Sequence, residues 1–189
     1  MQKIGFFGGS FNPPINTHIK LAENLIKYKM VDKVIFVPVG DYYQKKDLIS
    51  AEHRYNMLQL VCKNFQNIDV DDIASSSQDK LFAIDTFKLL YEKYNKKADL
   101  YFIMGSDNFN KMPTWKNYQE LMEEYKFIVI EREKNTQKDD LKNVIFYKSD
   151  NIEDITSTCI RNKIKNNIDY SNYIDDNVLK YIKENRLYI

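Results

Sequence analysis

A doubly wound α/β domain with a mostly parallel sheet is the fold this sequence predicts, and three observations carry that expectation. Strand and helix signals alternate along the 189 residues. Two of the strands, 33–38 and 100–104, are nearly continuous apolar runs, the pattern of strands buried on both faces. The first strand runs into a glycine turn and then an amphipathic helix, the opening unit of a sheet wound by right-handed crossovers.

The elements follow in order. Residues 2–7 form the first strand, and 17–29 the first helix, with Ile19, Leu21, Ala22, Leu25 and Ile26 on one face and Lys20, Glu23, Asn24 and Lys27 opposite. Asn16 is the expected N-cap. Strand 33–38 and helix 51–64, opened by Ser50, come next, then strand 67–72, helix 83–95, strand 99–104, helix 114–124 and strand 126–131. The polar stretch from Glu131 to Asn143 reads as a surface loop before a last strand at 143–147 and helices at 157–166 and 175–186. No internal repeat or composition shift divides residues 1–189, which read as one domain.

Composition narrows the class. With 43% hydrophobic and 29% charged residues the chain reads as an ordinary globular protein. Its 28 basic and 27 acidic side chains nearly cancel, so no general field for nucleic acid is predicted. No stretch approaches the roughly 20 apolar residues that span a bilayer, and the first residues lack the pattern of a secretion signal. Cys62 and Cys159, in segments that both read as helical, are expected to be free thiols. These observations predict a cytoplasmic protein with no membrane or nucleic-acid partner; a homo-oligomer is left open.

The chemistry-bearing residues collect at a few places. Gly8-Gly9-Ser10-Phe11-Asn12-Pro13-Pro14 lies between the apolar Ile4-Gly5-Phe6-Phe7 and the first helix. Glycines let backbone approach an anion, and the unpaired N–H groups of a helix start point at it. His18 stands in that helix's first turn. Late in the chain, Ile155-Thr156-Ser157-Thr158-Cys159-Ile160-Arg161 sets hydroxyls before a helix, Thr156 or Ser157 as its cap, and one turn on an arginine able to fork onto phosphate. Phe102-Ile103-Met104-Gly105-Ser106-Asp107-Asn108 is a strand end followed by glycine and aspartate, and Trp115 is the single tryptophan. Taken singly, these residues have ordinary structural accounts: capped helices, a β–α turn, a core tryptophan. Spaced through one α/β pattern, they point to a nucleotide at the carboxyl ends of the strands.

Together these motifs resemble the nicotinate-nucleotide adenylyltransferases, whose signature is Gly-Gly-Thr/Ser-Phe-Asp/Asn-Pro-Pro-His-x-Gly-His and whose late element is Ile-Ser-Ser-Thr-x-Ile-Arg. The resemblance spans nearly the whole chain, including the cadence of Tyr173-Ile174-Asp175 and Val178 to Tyr188. It implies a Rossmann-like nucleotidyltransferase fold and adenylyl transfer from ATP to nicotinate mononucleotide, with Mg2+ carried on the ATP phosphates and no protein metal ligands. By the same resemblance His18 and Arg161 are catalytic, and Gly8, Gly9, Ser10, Phe11, Asn12, Gly105, Asp107, Thr156, Ser157 and Thr158 hold the nucleotide. Lys45, Lys46, Arg54, Asp85, Thr86 and Trp115 lie on the acceptor side, the lysines and Arg54 from a run Lys45 to Arg54 in which His53 is structural.

The sequence departs from the family at two places. Ile15 stands where the first signature histidine belongs and Thr17 where the glycine does; loss of one transition-state donor is expected to cost about 10² to 10³ in rate. Ser77 to Ala83 replace the family's Arg-x-Gly-x-Ser-Tyr-Thr, and only Asp85-Thr86 remain. Weaker discrimination between a carboxylate and a carboxamide acceptor is expected unless another residue, such as Lys45 or Lys46, supplies the contact. Two other functions stay open at this point: adenylyl or cytidylyl transfer to another small phosphorylated acceptor, and nucleotide binding in a sensor or partner role with little catalysis.

Overall fold

The computed structural model describes residues 1–43, 45–95, 98–131, 141–148 and 155–189. Among them six strands, β1 (Gln2–Gly9), β2 (Lys33–Pro38), β3 (Ile68–Val70), β4 (Ala98–Gly105), β5 (Lys126–Glu131) and β6 (Val144–Lys148), form one sheet in the order β3-β2-β1-β4-β5-β6. Every adjacent pair is parallel. The helices are α1 (Asn16–Lys27), α2 (Ala51–Cys62), α3 (Ala83–Tyr94), the single turn α4 (Ser106–Phe109), α5 (Tyr118–Glu124), α6 (Ser157–Lys165) and α7 (Asp176–Glu184). The predicted α/β class and strand sequence therefore stand. Most of the expected loop from Glu131 to Asn143 lies outside the described residues.

Alternation along the strands divides the core in two. Phe7, Val34, Phe36, Ile103, Ile128 and Ile130 face one layer, with apolar residues of α1, α2, α6 and α7. Ile4, Phe6, Ile35, Val37, Leu100, Phe102, Met104, Phe127 and Val129 face the other, with α3 and α5. Strand order reverses between β1 and β4, which pair up to Phe7 with Ile103. Gly9 and Gly105, each two residues further on, end these strands side by side at the switch point, where doubly wound sheets bind ligands.

Three helices on the first layer end without glycine. Lys29 (φ 56°), Asn167 (φ 52°) and Arg186 (φ 50°) are left-handed just past α1, α6 and α7. In each case the last carbonyls are met by the two following N–H groups: Lys29 to Ile26 and Met30 to Leu25, Asn167 to Ile164 and Ile168 to Lys163, Arg186 to Lys183 and Leu187 to Ile182. These are Schellman closures. The first ends α1 at Lys27, two residues before the expected boundary; the last folds the chain back so that Leu187 and Tyr188 are buried.

Candidate active site

The loop after β1 is held at both ends by buried arginines. Arg54, fully enclosed on α2, donates from its terminal NH1 to the Ser10 carbonyl at 3.1 Å and from Nε to the Ile49 carbonyl at 3.0 Å, with Asp41 3.5 Å from NH2. Burial pulls its pKa down, and Asp41 works against that. Arg161, on α6, donates from NH1 to the Asn12 carbonyl at 2.9 Å and from NH2 to Thr158 Oγ1 at 3.2 Å. Between the two clamped carbonyls sits Phe11 at φ 46°, an uncommon backbone for a bulky residue. Asn12 is tied in as well: its Nδ2 donates to the Asp47 carbonyl at 2.8 Å, and its Oδ1 accepts from the Tyr188 hydroxyl at 2.9 Å and the Ile49 N–H at 3.4 Å.

The two glycines differ. A Cβ on Gly9 would come within 2.9 Å of the Phe11 ring, so packing excludes one. A Cβ on Gly8 would meet nothing within 4 Å, and Gly8 is exposed with no left-handed φ. Neither its neighbours nor its backbone calls for glycine at 8; a group lying against the strand end would.

His18 stands third in α1, half-buried, with its ring edge-on to Phe11 at 5.1 Å. Its Nδ1 accepts the Ile15 backbone N–H at 3.1 Å, while the His18 N–H returns to the Ile15 carbonyl at 2.9 Å. Ile15, not Asn16, is therefore the N-cap, and an imidazole reaching back does what a polar cap side chain does elsewhere. Asn16 is the first helical residue and donates to the Asn172 carbonyl at 3.2 Å. With Nδ1 an acceptor, the neutral ring carries its proton on Nε2, the tautomer that can donate to an anion.

α6 brings the late motif to this loop. Thr156 is its N-cap, accepting the Cys159 N–H at 3.2 Å, and the Ser157 hydroxyl donates to the Pro13 carbonyl at 2.8 Å. Of the five N–H donors a guanidinium carries, Asn12 and Thr158 occupy two on Arg161, and its buried Nε has no hydrogen-bond partner. On the neighbouring strand, Gly105 caps the short α4 and Asp107 lies in its first turn, not at the cap.

The expected acceptor residues divide. Lys45 and Lys46 are exposed beside Asp47, which pairs with Lys165 at 3.2 Å. Arg54, expected to face the acceptor, is enclosed by the carbonyls it serves. Asp85 accepts the Phe82 N–H at 2.9 Å and lies 3.8 Å from Lys116. Thr86 lies by the Tyr42 hydroxyl, whose pKa burial raises while Gly40, Thr86 and Arg54 work to lower it. Trp115 was expected on a helix; it follows a 3-10 turn, Met112–Thr114, and packs half-buried on the second core layer ahead of α5.

Comparison with known proteins identifies the family and the fold. The model of the cytidylyltransferase-like family matches residues 6–163. A probable nicotinate-nucleotide adenylyltransferase of Acholeplasma laidlawii is 36% identical over 96% of this chain and 95% of its own length. One from Fusobacterium nucleatum is 34% identical over 97% and 98%. The chain belongs to the nicotinate-nucleotide adenylyltransferase family. The fold agrees with that of Plasmodium falciparum nicotinic acid mononucleotide adenylyltransferase complexed with NaAD, at a TM-score of 0.80 and 22% identity, covering 100% of this chain and 98% of that one.

Within the nicotinate-nucleotide adenylyltransferase family's signature, the departing Ile15 is 3% exposed and packs in the core with Phe7, Phe11 and Ile19. Asn16, turned to Asn172, does not stand in for the missing histidine. Two contributors were not legible in the sequence as site residues. Tyr188 is buried, and burial raises its pKa against the lowering influence of Arg161 and Arg54, so its hydroxyl remains a donor to Asn12. Tyr42 links Thr86 to the neighbourhood of Arg54. Both act across distances in the chain that no local pattern spans.

Proposed function

We propose that this protein transfers the adenylyl group of ATP to nicotinate mononucleotide. The acceptor's phosphate oxygen attacks the α-phosphorus in line, the bond to the bridging oxygen breaks, and pyrophosphate leaves. The observation that carries this reading is the joining of two phosphate-binding motifs from opposite ends of the chain, through Ser157 to Pro13 at 2.8 Å and Arg161 to Asn12 at 2.9 Å. In this reading Gly8, Gly9, Ser10, Phe11 and Asn12 shape the phosphate loop, while Gly105 and Asp107 at the end of β4 hold the nucleoside. Thr156, Ser157 and Thr158 present the start of α6 to the outer phosphates, Arg161 binds them, and His18 donates from Nε2 as charge grows on the transferring group. Lys45, Lys46, Asp85, Thr86 and Trp115 border the acceptor, and Arg54 supports it through Ser10 and Tyr42.

The donors gathered here are N–H, hydroxyl and cationic groups, and no group of three or more metal-ligating side chains occurs among the described residues. That set suits phosphate oxygens, so Mg2+ is best held by the nucleotide and water, where it neutralises phosphate charge. No helix among the described residues is long and apolar enough to cross a membrane, and Cys62 and Cys159 are free, in support of a cytoplasmic place.

Calorimetric titration with ATP and Mg2+ should detect binding at or below millimolar ligand. Arg161→Ala should weaken ATP by about tenfold to a hundredfold, and AMP much less, because its proposed partners are the outer phosphates. Absence of heat at millimolar ATP, or equal loss for ATP and AMP, would overturn the nucleotide site. Pyrophosphate release with nicotinate mononucleotide separates transfer from binding alone.

A further inference from the structure

Helix α6 reaches the phosphate loop by two routes, one turn apart. Arg161 takes the direct one, donating to the Asn12 carbonyl at 2.9 Å. Lys165, four residues on and so on the same side of the helix, takes the other. Its Nζ donates to Asp47 Oδ1 at 3.2 Å, and the Asp47 carbonyl accepts Asn12 Nδ2 at 2.8 Å. Arg161, Asn12, Asp47 and Lys165 thus close a ring in which Asn12 is held by its main chain from one side and by its side chain from the other.

The backbone at Asp47 is unusual. The residue stands third in a turn closed by the Leu48 N–H on the Lys45 carbonyl at 3.2 Å, with φ 60°, a left-handed setting that favours glycine or asparagine. Such a setting persists where the surroundings over-determine it. Here they do so at both ends of the residue, 35 positions back at Asn12 and 118 positions on at Lys165. The bond from Lys165 holds the Asp47 carboxyl below the usual carboxylate range, with Lys46 and Arg161 adding to it. The two side chains of the pair are open to solvent, at 45% and 39%, so the bridge itself adds little to stability. Its effect lies in where it leaves the Asp47 carbonyl, and with it Asn12.

We propose that Lys165, acting through Asp47, is a positioning residue for the nucleotide: the pair fixes the carbonyl that holds the Asn12 side chain, and so sets the phosphate loop against Arg161. The inference rests on the nucleotide site of the adenylyl-transfer reading and adds a residue outside both phosphate motifs. Lys165 acts from its bond to Asp47 and not by meeting phosphate, which fixes the sign of a test. Asp47 is an anion among Lys46, Lys165 and Arg161. Were it only a charge, neutralising it would tighten the binding of ATP; because it positions Asn12, neutralising it weakens ATP.

The test is calorimetric titration with ATP and Mg2+, beside thermal melting, for the wild type, Lys165→Met, Lys165→Arg, Asp47→Asn, the Asp47→Asn/Lys165→Met pair and Lys163→Met. Methionine keeps the stem at 165, and asparagine tolerates the left-handed backbone at 47. Lys165→Met and Asp47→Asn should each raise the Kd for ATP about threefold to fivefold at an unmoved thermal midpoint. The double variant should be no weaker than Lys165→Met alone, since each change removes the same interaction. Lys165→Arg should bind nearly as the wild type does. Lys163→Met removes an equal charge from α6, from a lysine directed to the Asp169 carbonyl, and should leave ATP affinity unchanged. Tighter ATP in Asp47→Asn, unchanged affinity in Lys165→Met, losses that multiply in the double variant, or an equal loss in Lys163→Met would each overturn the inference with the nucleotide site intact. A wild-type protein that gives no heat at millimolar ATP would overturn the nucleotide site itself, and the inference with it.

Discussion

The phosphate loop and the acceptor rim are built on opposite plans. Around Ser10 to Asn12, carbonyls and side chains are committed to partners from distant parts of the chain: Arg54, Asp47, Ile49, Arg161 and Tyr188, most of them buried. Around Phe82, exposed lysines lean on a ring and share one carboxylate at 3.8 Å. In the proposed reaction, the first plan would fix donors in advance where negative charge develops, so that reorganisation during reaction is small. The second leaves its charge adaptable, beside the residues proposed to border the acceptor. A change in the first region should scale the rate with every acceptor alike; a change in the second should split one acceptor from another.

The largest expected effect is at His18. His18→Ala removes the Nε2 donor and the bond to Ile15, and should lower kcat by about 10² to 10³ with either mononucleotide, leaving their ratio as it was. A shifted ratio would break the division between the regions. Ile15→His asks the converse question. It should raise kcat by up to about 10² with ATP affinity little changed, since an interaction realised mainly in the transition state appears in the catalytic constant. It should also lower the thermal midpoint, because the isoleucine is only 3% exposed in an apolar core. Unchanged turnover would mean that the apolar pocket, and not one side chain, has replaced the donor.

Tyr188→Phe is gentler. It retains the packing and deletes the hydroxyl at 2.9 Å from Asn12, leaving that oxygen to the weaker Ile49 contact. A loss of about fivefold in kcat, equal for both acceptors and with KM for them unmoved, is expected from one neutral hydrogen bond. Kinetics across the two acceptors check it: an acceptor-dependent loss would place Tyr188 with the rim. Loss of stability with kcat intact would make it structural only.

How far the sequence could be read follows the same division. The sheet was legible because Val34 to Pro38 and Leu100 to Met104 are nearly continuous apolar runs, the pattern of strands buried on both faces. That the two glycine- and hydroxyl-bearing motifs belong to one site was legible from their pairing in the sequence, and the structure joins them through Ser157 and Arg161. The left-handed closures at Lys29, Asn167 and Arg186 were not, since such closures usually announce themselves with glycine. The cap of α1 was assigned to Asn16 on propensity, but the His18 ring satisfies the Ile15 N–H, a contact propensity tables do not contain. The resemblance put Arg54 on the acceptor side, whereas its buried guanidinium is taken up by the Ile49 and Ser10 carbonyls, with Asp41 3.5 Å away. Lys45 and Lys46 stand in a run that resembles the family's, which a sequence can show; Lys80 and Lys116 become neighbours over Phe82 only after α3 and the chain beyond α4 have packed.

The hold of Arg54 on Ser10 reaches further than the carbonyl it touches. A trans peptide unit is a rigid plate whose C=O and N–H point in opposite directions. By holding the Ser10 oxygen from within the core, Arg54 fixes the orientation of the whole plate, and with it the direction of the Phe11 N–H, opposite to that oxygen. In the proposed site Arg54 thus works as a lever: it sets the direction of a main-chain donor from beneath the loop. Shortening it to lysine, with one point charge in place of a fork, would let the plate rock while leaving the residues of the phosphate loop chemically intact. Transplanting the Gly8 to Pro14 loop into another scaffold would carry over its sequence but not its aim, unless the arginine beneath it came too.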